Sequence, residues 1–104
     1  MEIKRGDVIY LKRTEDPSSL RPYVVVSNDV GNRHSMICLA VPLTSKWKKL
    51  DMPTHTIIDY HDSMVMAEQI HTFRQEDIER VAHHLDDYDV DKITECLKVS
   101  IGGR

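Results

Sequence analysis

Long apolar runs, cysteine and aromatic residues are all scarce in this sequence, and each shortage excludes a class of protein. No segment approaches the roughly 18 apolar residues of a membrane-spanning helix, so we expect no membrane insertion. Residues Met1–Arg5 contain no apolar signal region, which predicts a cytoplasmic protein. The two cysteines, Cys38 and Cys96, are far apart and lie among apolar residues. We therefore expect reduced core side chains rather than a disulfide.

Metal-ligand spacing and cofactor motifs are also missing. Six histidines are present, but none is paired with another ligand at a spacing typical of zinc sites. His83 and His84 are adjacent, so on a strand they would point to opposite faces of the sheet. There is no phosphate-binding glycine loop, nucleophile elbow or dinucleotide fingerprint. We therefore expect neither a metal nor a cofactor.

The composition that remains is that of one small folded domain. The chain has 104 residues, of which 40% are hydrophobic, and this predicts a single domain over residues 1–104 with a modest core. Dimerisation would help to stabilise so small a core. The net charge of −3 divides unevenly: residues 1–50 carry +4 and residues 51–104 carry −7. A basic half permits a phosphate-binding face, although solvated surface charge explains the same asymmetry.

Short β-rich segments separated by turn residues occupy most of the chain. They predict a mainly β protein built as a small barrel or strongly curved sheet. Asn28–Asn32 supplies turn residues, and Met36–Leu43 is apolar throughout, as in a strand buried on both faces. The strand candidates are Val8–Leu11, Tyr23–Ser27, Met36–Leu43, Thr56–Ile58 and Met64–Ala67.

The C-terminal quarter has a different periodicity. Val90, Ile93, Leu97 and Ile101 recur at helical spacing, and Asp86 or Asp87 is suited to be the N-cap. This pattern predicts a C-terminal α-helix. The preceding segment, 75–84, fits either a helix or a helical turn followed by a strand.

Two local features are suited to bind nucleic acid. Trp47 lies among three lysines in Ser45–Lys49, a combination that offers a stacking plane beside cations. The alternative is a solvated loop whose tryptophan packs on the protein. Arg21 precedes Pro22 and a buried strand, so its guanidinium is expected at a sheet rim, where it can bind phosphate or form a surface salt bridge.

Several segments, taken in order, resemble one protein family. Each motif is short, but the resemblance covers nearly the whole chain. The segments are Lys4–Tyr10, Arg21–Arg33, Ala40–Lys46, Pro53–His55, Asp62–Ser63, Glu68–Ile70 and His84–Asp87. Together they are similar to the MazF/PemK-like toxins of type II toxin–antitoxin pairs.

This resemblance implies an SH3-like β-barrel with a C-terminal α-helix, usually as a homodimer. It implies an mRNA interferase: an endoribonuclease that cleaves single-stranded RNA at short sequences without a metal. A cognate antitoxin, whose extended segment covers the active site, would be a protein partner. By the same resemblance, segment 75–85 should form a short helical turn and then a strand.

The resemblance also implies site residues. The catalytic candidates are Arg21 and Thr44, acting while the 2′-hydroxyl of the RNA attacks its own phosphodiester. Because a guanidinium is a poor base at neutral pH, we assign Arg21 to transition-state stabilisation, with proton donation as a further option. The candidate RNA contacts are Ser27, Asn28, Trp47, Lys48, His55, Glu68 and Gln69.

One segment departs from the family pattern. Many members carry a glycine-rich loop before the Arg-Pro step, whereas Thr14–Leu20 contains no glycine and includes Pro17. Glycine lets backbone approach a ligand closely, so this loop should affect base recognition and turnover. This loop supports one alternative, a catalytically weakened member that only binds RNA or antitoxin. A second alternative, a gyrase poison like the CcdB proteins, rests on the barrel fold that those proteins share.

Overall fold

A computed structural model describes residues 2–46 and 52–103. These residues form seven strands and two α-helices, and the longer helix is the last element. Two 3₁₀ turns, at Pro17–Leu20 and Gln75–Asp77, precede β2 and β7. The elements are β1 Asp7–Leu11, β2 Pro22–Val25, α1 Asp29–His34, β3 Ile37–Thr44, β4 His55–Ile57, β5 Met64–Met66, β6 His71–Arg74, β7 Ile78–His84 and α2 Asp87–Ser100.

The strands form one antiparallel sheet centred on β3. The path runs β4-β5-β3-β2-β1-β7, and β6 branches from β3. β3 pairs with β2 along one edge, while its other edge pairs first with β6 and then with β5. Two register shifts interrupt the β1–β7 pairing and mark β-bulges, which increase local twist. The mainly β prediction with a C-terminal helix is confirmed, but the pairings among described residues leave the sheet open.

Each face of the sheet carries its own apolar cluster. Val24, Val41 and Val65 lie on the first face and pack with Leu85 and with Ile93 of α2. Tyr23, Val25 and Ala40, which alternate with them, lie on the second face beside Phe73. Because successive residues of a strand point to opposite faces, even these short strands contribute apolar side chains to a cluster on each face of the sheet.

Helix α2 confirms the C-terminal prediction. Asp86 is the N-cap, and its carboxylate accepts the Asp89 N–H at 3.0 Å. Lys92 Nζ donates to the Ile57 carbonyl at 2.6 Å, which fastens the helix to the end of β4. No helix among the described residues is long and apolar enough to cross a bilayer.

Other local predictions have mixed outcomes. Segment 75–84 is a 3₁₀ turn followed by β7, as the resemblance implied. The turn predicted at Asn28–Asn32 is wrong, because Asn28 caps the short helix α1 there. The prediction of a strand buried on both faces is wrong for the first half of β3, where Ile37 and Leu39 are exposed. Both cysteines are buried and free, as expected.

Candidate active site

The ends of β2 and β3 bring together the two residues predicted to be catalytic. These strands pair with Tyr23 opposite Pro42 and Val24 opposite Val41. Continuing this register by two residues places Arg21, whose backbone is also extended, opposite Thr44. Directly opposed residues in antiparallel strands share a face of the sheet. Arg21 and Thr44 therefore belong to one face at one end of the sheet.

The guanidinium of Arg21 is available for an anionic ligand. Its side chain is exposed, and none of the ion pairs among residues 2–46 and 52–103 includes it. The backbone is nevertheless held, because the Arg21 N–H donates to the Ser18 carbonyl at 3.3 Å. An arginine with a fixed backbone and an unpaired side chain is suited to bind a phosphate.

Thr44 is held more rigidly than a loop residue. It ends β3 and pairs with Met64 of β5 on the side away from β2. Its hydroxyl oxygen accepts the Lys46 N–H at 3.2 Å. Since a hydroxyl has one donor hydrogen and two lone pairs, Thr44 keeps a donor free for a substrate oxygen.

The predicted residues His55 and Glu68 form a polar cluster with Thr54. His55 Nε2 lies 3.0 Å from Glu68 Oε2, and the Thr54 hydroxyl donates to Glu68 Oε1 at 3.0 Å. The His55 side chain is only 5% exposed, against 34% for Glu68. Desolvation favours a raised pKa for Glu68, but the hydrogen bonds from His55 and Thr54 outweigh it and lower the pKa. Glu68 is thus an ionised acceptor at neutral pH.

The sheet register relates this cluster to Thr44. His55 pairs with Met66, and Met64, two residues earlier on β5, pairs with Thr44. Because residues two apart on a strand share a face, His55 lies on the same face as Thr44 and Arg21. Gln69 follows Glu68 in the turn after β5, where its backbone N–H donates to the Met66 carbonyl at 3.2 Å.

Ser27 and Asn28 lie at the other end of β2. Ser27 follows Arg21 by six positions, which correspond to about 20 Å of extended chain. Asn28 caps α1 by accepting the Gly31 N–H at 2.8 Å, and the Ser27 hydroxyl accepts the Leu39 N–H at 3.1 Å. The structure gives both residues a local role and does not place them beside Arg21, so their contact with RNA stays a prediction.

The remaining two candidates, Trp47 and Lys48, lie outside the described residues. No group of three or more His, Cys, Asp or Glu side chains within residues 2–46 and 52–103 is arranged to hold a metal ion.

An aromatic cluster beneath Arg21 was missed from the sequence. Tyr23 contacts His71 and Phe73 edge-to-face, with ring centroids 5.4 and 4.7 Å apart. Its hydroxyl donates to the Ser18 carbonyl at 3.1 Å, the same carbonyl that accepts the Arg21 N–H. The alternation of aromatic and polar residues at His71–Arg74 could have predicted strand β6, but four residues are too few for a reliable prediction.

The atypical loop before Arg21 is internally hydrogen-bonded. Asp16 caps the 3₁₀ turn by accepting the Ser18 N–H at 2.9 Å, and this bond lowers the pKa of Asp16. The Ser19 hydroxyl donates to the Asp16 carbonyl at 2.8 Å. A proline-containing turn therefore stands where the family often has glycines, and it fixes the approach to Arg21.

Comparisons with known proteins show relatives of this chain and structures that share its fold. The chain is 33% identical to the endoribonuclease EndoA of Bacillus subtilis (strain 168) over 111 residues, covering 97% of this chain and 96% of the relative. An endoribonuclease structure from Mycobacterial species superposes with a TM-score of 0.83 at 23% identity, covering 99% of this chain and 94% of that one. A second such structure, in complex with its cognate antitoxin, gives a TM-score of 0.82 at 23% identity, covering 96% and 95%. These two structures show a shared fold.

A family model described as "PemK-like, MazF-like toxin of type II toxin-antitoxin system" matches residues 4–101. The match covers nearly the whole chain and includes both strand ends that hold Arg21 and Thr44. The chain therefore belongs to the PemK-like, MazF-like toxins of type II toxin–antitoxin systems.

Proposed function

We propose that this protein is the toxin of a toxin–antitoxin pair and acts as an endoribonuclease on single-stranded mRNA. The observation that carries the proposal is the position of Arg21, whose guanidinium is unpaired, opposite Thr44 when the β2–β3 register is extended by two residues. The relative EndoA, an endoribonuclease, supports the reaction class. The family match gives no support to the gyrase-poison alternative.

The proposed reaction uses the substrate's own nucleophile. The 2′-hydroxyl oxygen attacks the adjacent phosphorus, the bond to the 5′ oxygen of the next nucleotide breaks, and a 2′,3′-cyclic phosphate forms. The proton lost by the 2′-hydroxyl is balanced by the proton gained by the departing 5′ oxygen. Chemistry of this kind depends mainly on positioning and on stabilising charge at the phosphate, without a resident metal or cofactor.

Arg21 supplies the charge stabilisation in this scheme. Its planar guanidinium donates to the non-bridging phosphate oxygens, on which negative charge increases in the transition state. A guanidinium stays protonated at neutral pH and is therefore a poor general base. The Thr44 hydroxyl, fixed between two neighbouring strands, donates to a phosphate oxygen or to the attacking oxygen.

RNA binding is proposed to extend from this pair across the same face. His55, Glu68 and Gln69 lie on or beside that face, and the ionised Glu68 is an acceptor for base amino groups. Ser27, Asn28, Trp47 and Lys48 complete the proposed contacts. Because the Glu68 carboxylate would repel a phosphate, its proposed role is to recognise a base.

The same proposal includes partners and architecture. We expect a cognate antitoxin, since a structural relative was solved with one. We expect one domain over residues 1–104, an SH3-like arrangement of the curved open sheet, and action in the cytoplasm, where mRNA is translated. We place a homodimer contact on the exposed apolar surface made by Val30, Met36, Ile37 and Leu39.

The test is cleavage of a long, weakly structured RNA in the presence of a chelator, with the product ends mapped. We expect wild type to cut at a short recurring sequence and to leave 2′,3′-cyclic phosphate ends. Arg21→Ala and Thr44→Val should lower kcat, with Arg21→Ala losing on the order of 100-fold or more, the usual cost of removing a transition-state donor. Arg74→Ala is the matched control, because Arg74 is exposed and pairs with the start of β3, remote from Thr44.

Two results would contradict the proposal. Absence of cleavage by folded wild type would remove the enzymatic function and leave the weakened, binding-only member. Equal cleavage by wild type and Arg21→Ala would remove the assignment of the site. Gyrase-dependent DNA breakage in cells whose RNA stays intact would favour the alternative target.

A further inference from the structure

A cleft of about 470 Å³ lies between the loop that precedes Arg21 and the edge of the sheet. Its lining includes Tyr10 and Leu11 from the end of β1 and Arg80 of β7. Leu20, at the end of the 3₁₀ turn, also lines it and directly precedes Arg21 in the chain. The cleft and the proposed catalytic arginine therefore lie at the same end of the sheet, but Tyr10 pairs with Pro22 and so belongs to the face opposite to that of Arg21. None of the predicted site residues lines the cleft.

Arg80 and Tyr10 form a layered platform within this cleft. The guanidinium carbon of Arg80 lies 4.3 Å from the centroid of the Tyr10 ring. A guanidinium stacked on one ring keeps its other planar face available, and RNA bases stack on such faces. The Arg80–Tyr10 platform thus presents a flat, positively charged surface.

Other aromatic groups hold the platform from behind. Burial and the neighbouring Tyr10 side chain raise the pKa of Tyr60, and Tyr60 stacks on His83 with ring centroids 5.2 Å apart. Tyr60 in turn packs against the buried cluster beside α2. Because Tyr10 is held in this way, a ligand would meet a surface that is already ordered, and ordering costs would be small.

The charges of the cleft suit a phosphodiester strand. Arg13 adds a second guanidinium to its lining, against one carboxylate from Glu79. Neither Arg13 nor Arg80 takes part in the ion pairs found among the described residues. A flat cation for a base, next to a free cation for a phosphate, is the combination found in single-strand binding sites.

We propose that this cleft is an RNA subsite that binds one flanking nucleotide of the substrate strand, where that strand passes the end of the sheet. The base stacks on the Arg80–Tyr10 platform, and Arg13 contacts a phosphate of the same strand. The inference rests on the proposed ribonuclease function and extends it, since the subsite would contribute to the choice of cleavage sequence. An acidic antitoxin segment would satisfy the charges but would make no use of the flat guanidinium face.

The experiment measures binding separately from cleavage. The probe is a fluorescently labelled single-stranded RNA of mixed sequence, 2′-O-methylated throughout so that no 2′-hydroxyl can attack. Affinity is measured by anisotropy over a range of salt for wild type, Arg80→Gln, Arg80→Lys, Arg13→Gln and the control Arg74→Gln. Thermal melting checks that each variant is folded, and cleavage of unmodified RNA by wild type is measured in parallel.

We expect Arg80→Gln and Arg80→Lys to weaken binding on the order of 10-fold, since lysine keeps the charge but loses the stacking plane. Arg13→Gln should reduce the slope of log affinity against log salt by about 0.7, the value for one phosphate contact with a single strand. Arg74→Gln should bind as wild type does. With cleavable RNA, the Arg80 variants should raise KM much more than they lower kcat.

Three results overturn the subsite. Two are full affinity for the RNA probe of the folded Arg80→Gln variant and full affinity of Arg80→Lys. The third comes from a labelled acidic peptide measured in the same way: the Arg80 variants lose binding to the peptide while their RNA binding is unchanged. In each case wild type still cleaves RNA, so the proposed function stands. If wild type neither binds nor cleaves RNA, the proposed function fails, and the subsite fails with it.

Discussion

The hydrogen bond from Tyr23 to the Ser18 carbonyl gives a sharp prediction, because that carbonyl also accepts the Arg21 N–H. Tyr23→Phe removes only the hydroxyl and keeps the ring contacts with His71 and Phe73. The Tyr23 side chain is buried, with 1% exposed, whereas Ser18 is half-buried. Water can therefore replace the lost donor at the carbonyl, and the cost should be close to the usual net value of a hydrogen bond, about 1 kcal/mol.

That free energy translates into a measurable change in Tm. For a chain of 104 residues, the entropy of unfolding is about 0.22 kcal/mol/K, so a loss of about 1 kcal/mol lowers Tm by about 4–5 °C. The effect on kcat has a different origin. Loosening the Ser18 carbonyl loosens the backbone of Arg21, and a catalytic group misplaced by about 1 Å can cost as much as 100-fold in rate.

The assay is calorimetry combined with steady-state cleavage of a fluorogenic RNA, with Tyr88→Phe as the control. Tyr88 is 73% exposed, and its ring contact is with Lys92 rather than with the site. We expect Tyr23→Phe to lower both Tm and kcat, with KM changing less, and Tyr88→Phe to change neither. If Tyr23→Phe retains wild-type Tm and kcat, the hydrogen bond does not hold the catalytic loop and the reasoning is refuted.

Three further predictions use other parts of the molecule. Because the pKa of Glu68 is lowered in the folded protein, its contribution to stability is complete at neutral pH and is lost as pH falls through that lowered pKa. The urea midpoints of wild type and Glu68→Gln should therefore differ at pH 7 and converge between about pH 5 and pH 3. A difference that stays constant with pH would exclude the ionised role. Burial raises the pKa of the Cys38 thiol to about 11, so at pH 8 it should react with a thiol reagent only after denaturation, and fast labelling of the native protein would show that the site is open. Met36, 75% exposed, lies in the proposed dimer surface, so Met36→Glu should shift sedimentation from dimer to monomer. Ile101→Glu should not, since Ile101, 72% exposed, lies just after α2 and outside that surface.

The strand framework could be predicted from local sequence because its signals are local. The β-branched run at Tyr23–Val26 and the 3.6-residue period of α2 correspond to observed elements. The short helix α1 was mistaken for a turn because its one strong signal, the Asn28 cap, also favours turns. Strand β6 was missed because His71–Arg74 is short and is stabilised by pairing with β3, a contact distant in sequence.

The sequence could predict which residues form the candidate site but not how these residues are arranged in space. The resemblance named Arg21, Thr44, His55 and Glu68, but no local pattern shows that the first two are opposed across β2 and β3. The His55–Glu68 pair likewise depends on the β4–β5 hairpin, which brings the two side chains within 3.0 Å. The Arg80–Tyr10 platform depends on a register that a β-bulge has shifted, so alternation alone could not have placed those residues opposite each other.

Strand β3 also has a consequence for how this protein can change over evolutionary time. It carries the proposed dimer surface near Ile37 and the proposed catalytic hydroxyl of Thr44. Inserting or deleting one residue within β3 would turn every later side chain to the opposite face, so Thr44 would leave the site at once. This constraint does not apply to the loop at Thr14–Leu20, because a change in its length occurs before Arg21 and leaves the register of Arg21 with Thr44 unchanged. Insertions and deletions that diversify the cleavage sequence should therefore accumulate in that loop, while β3 keeps a constant length.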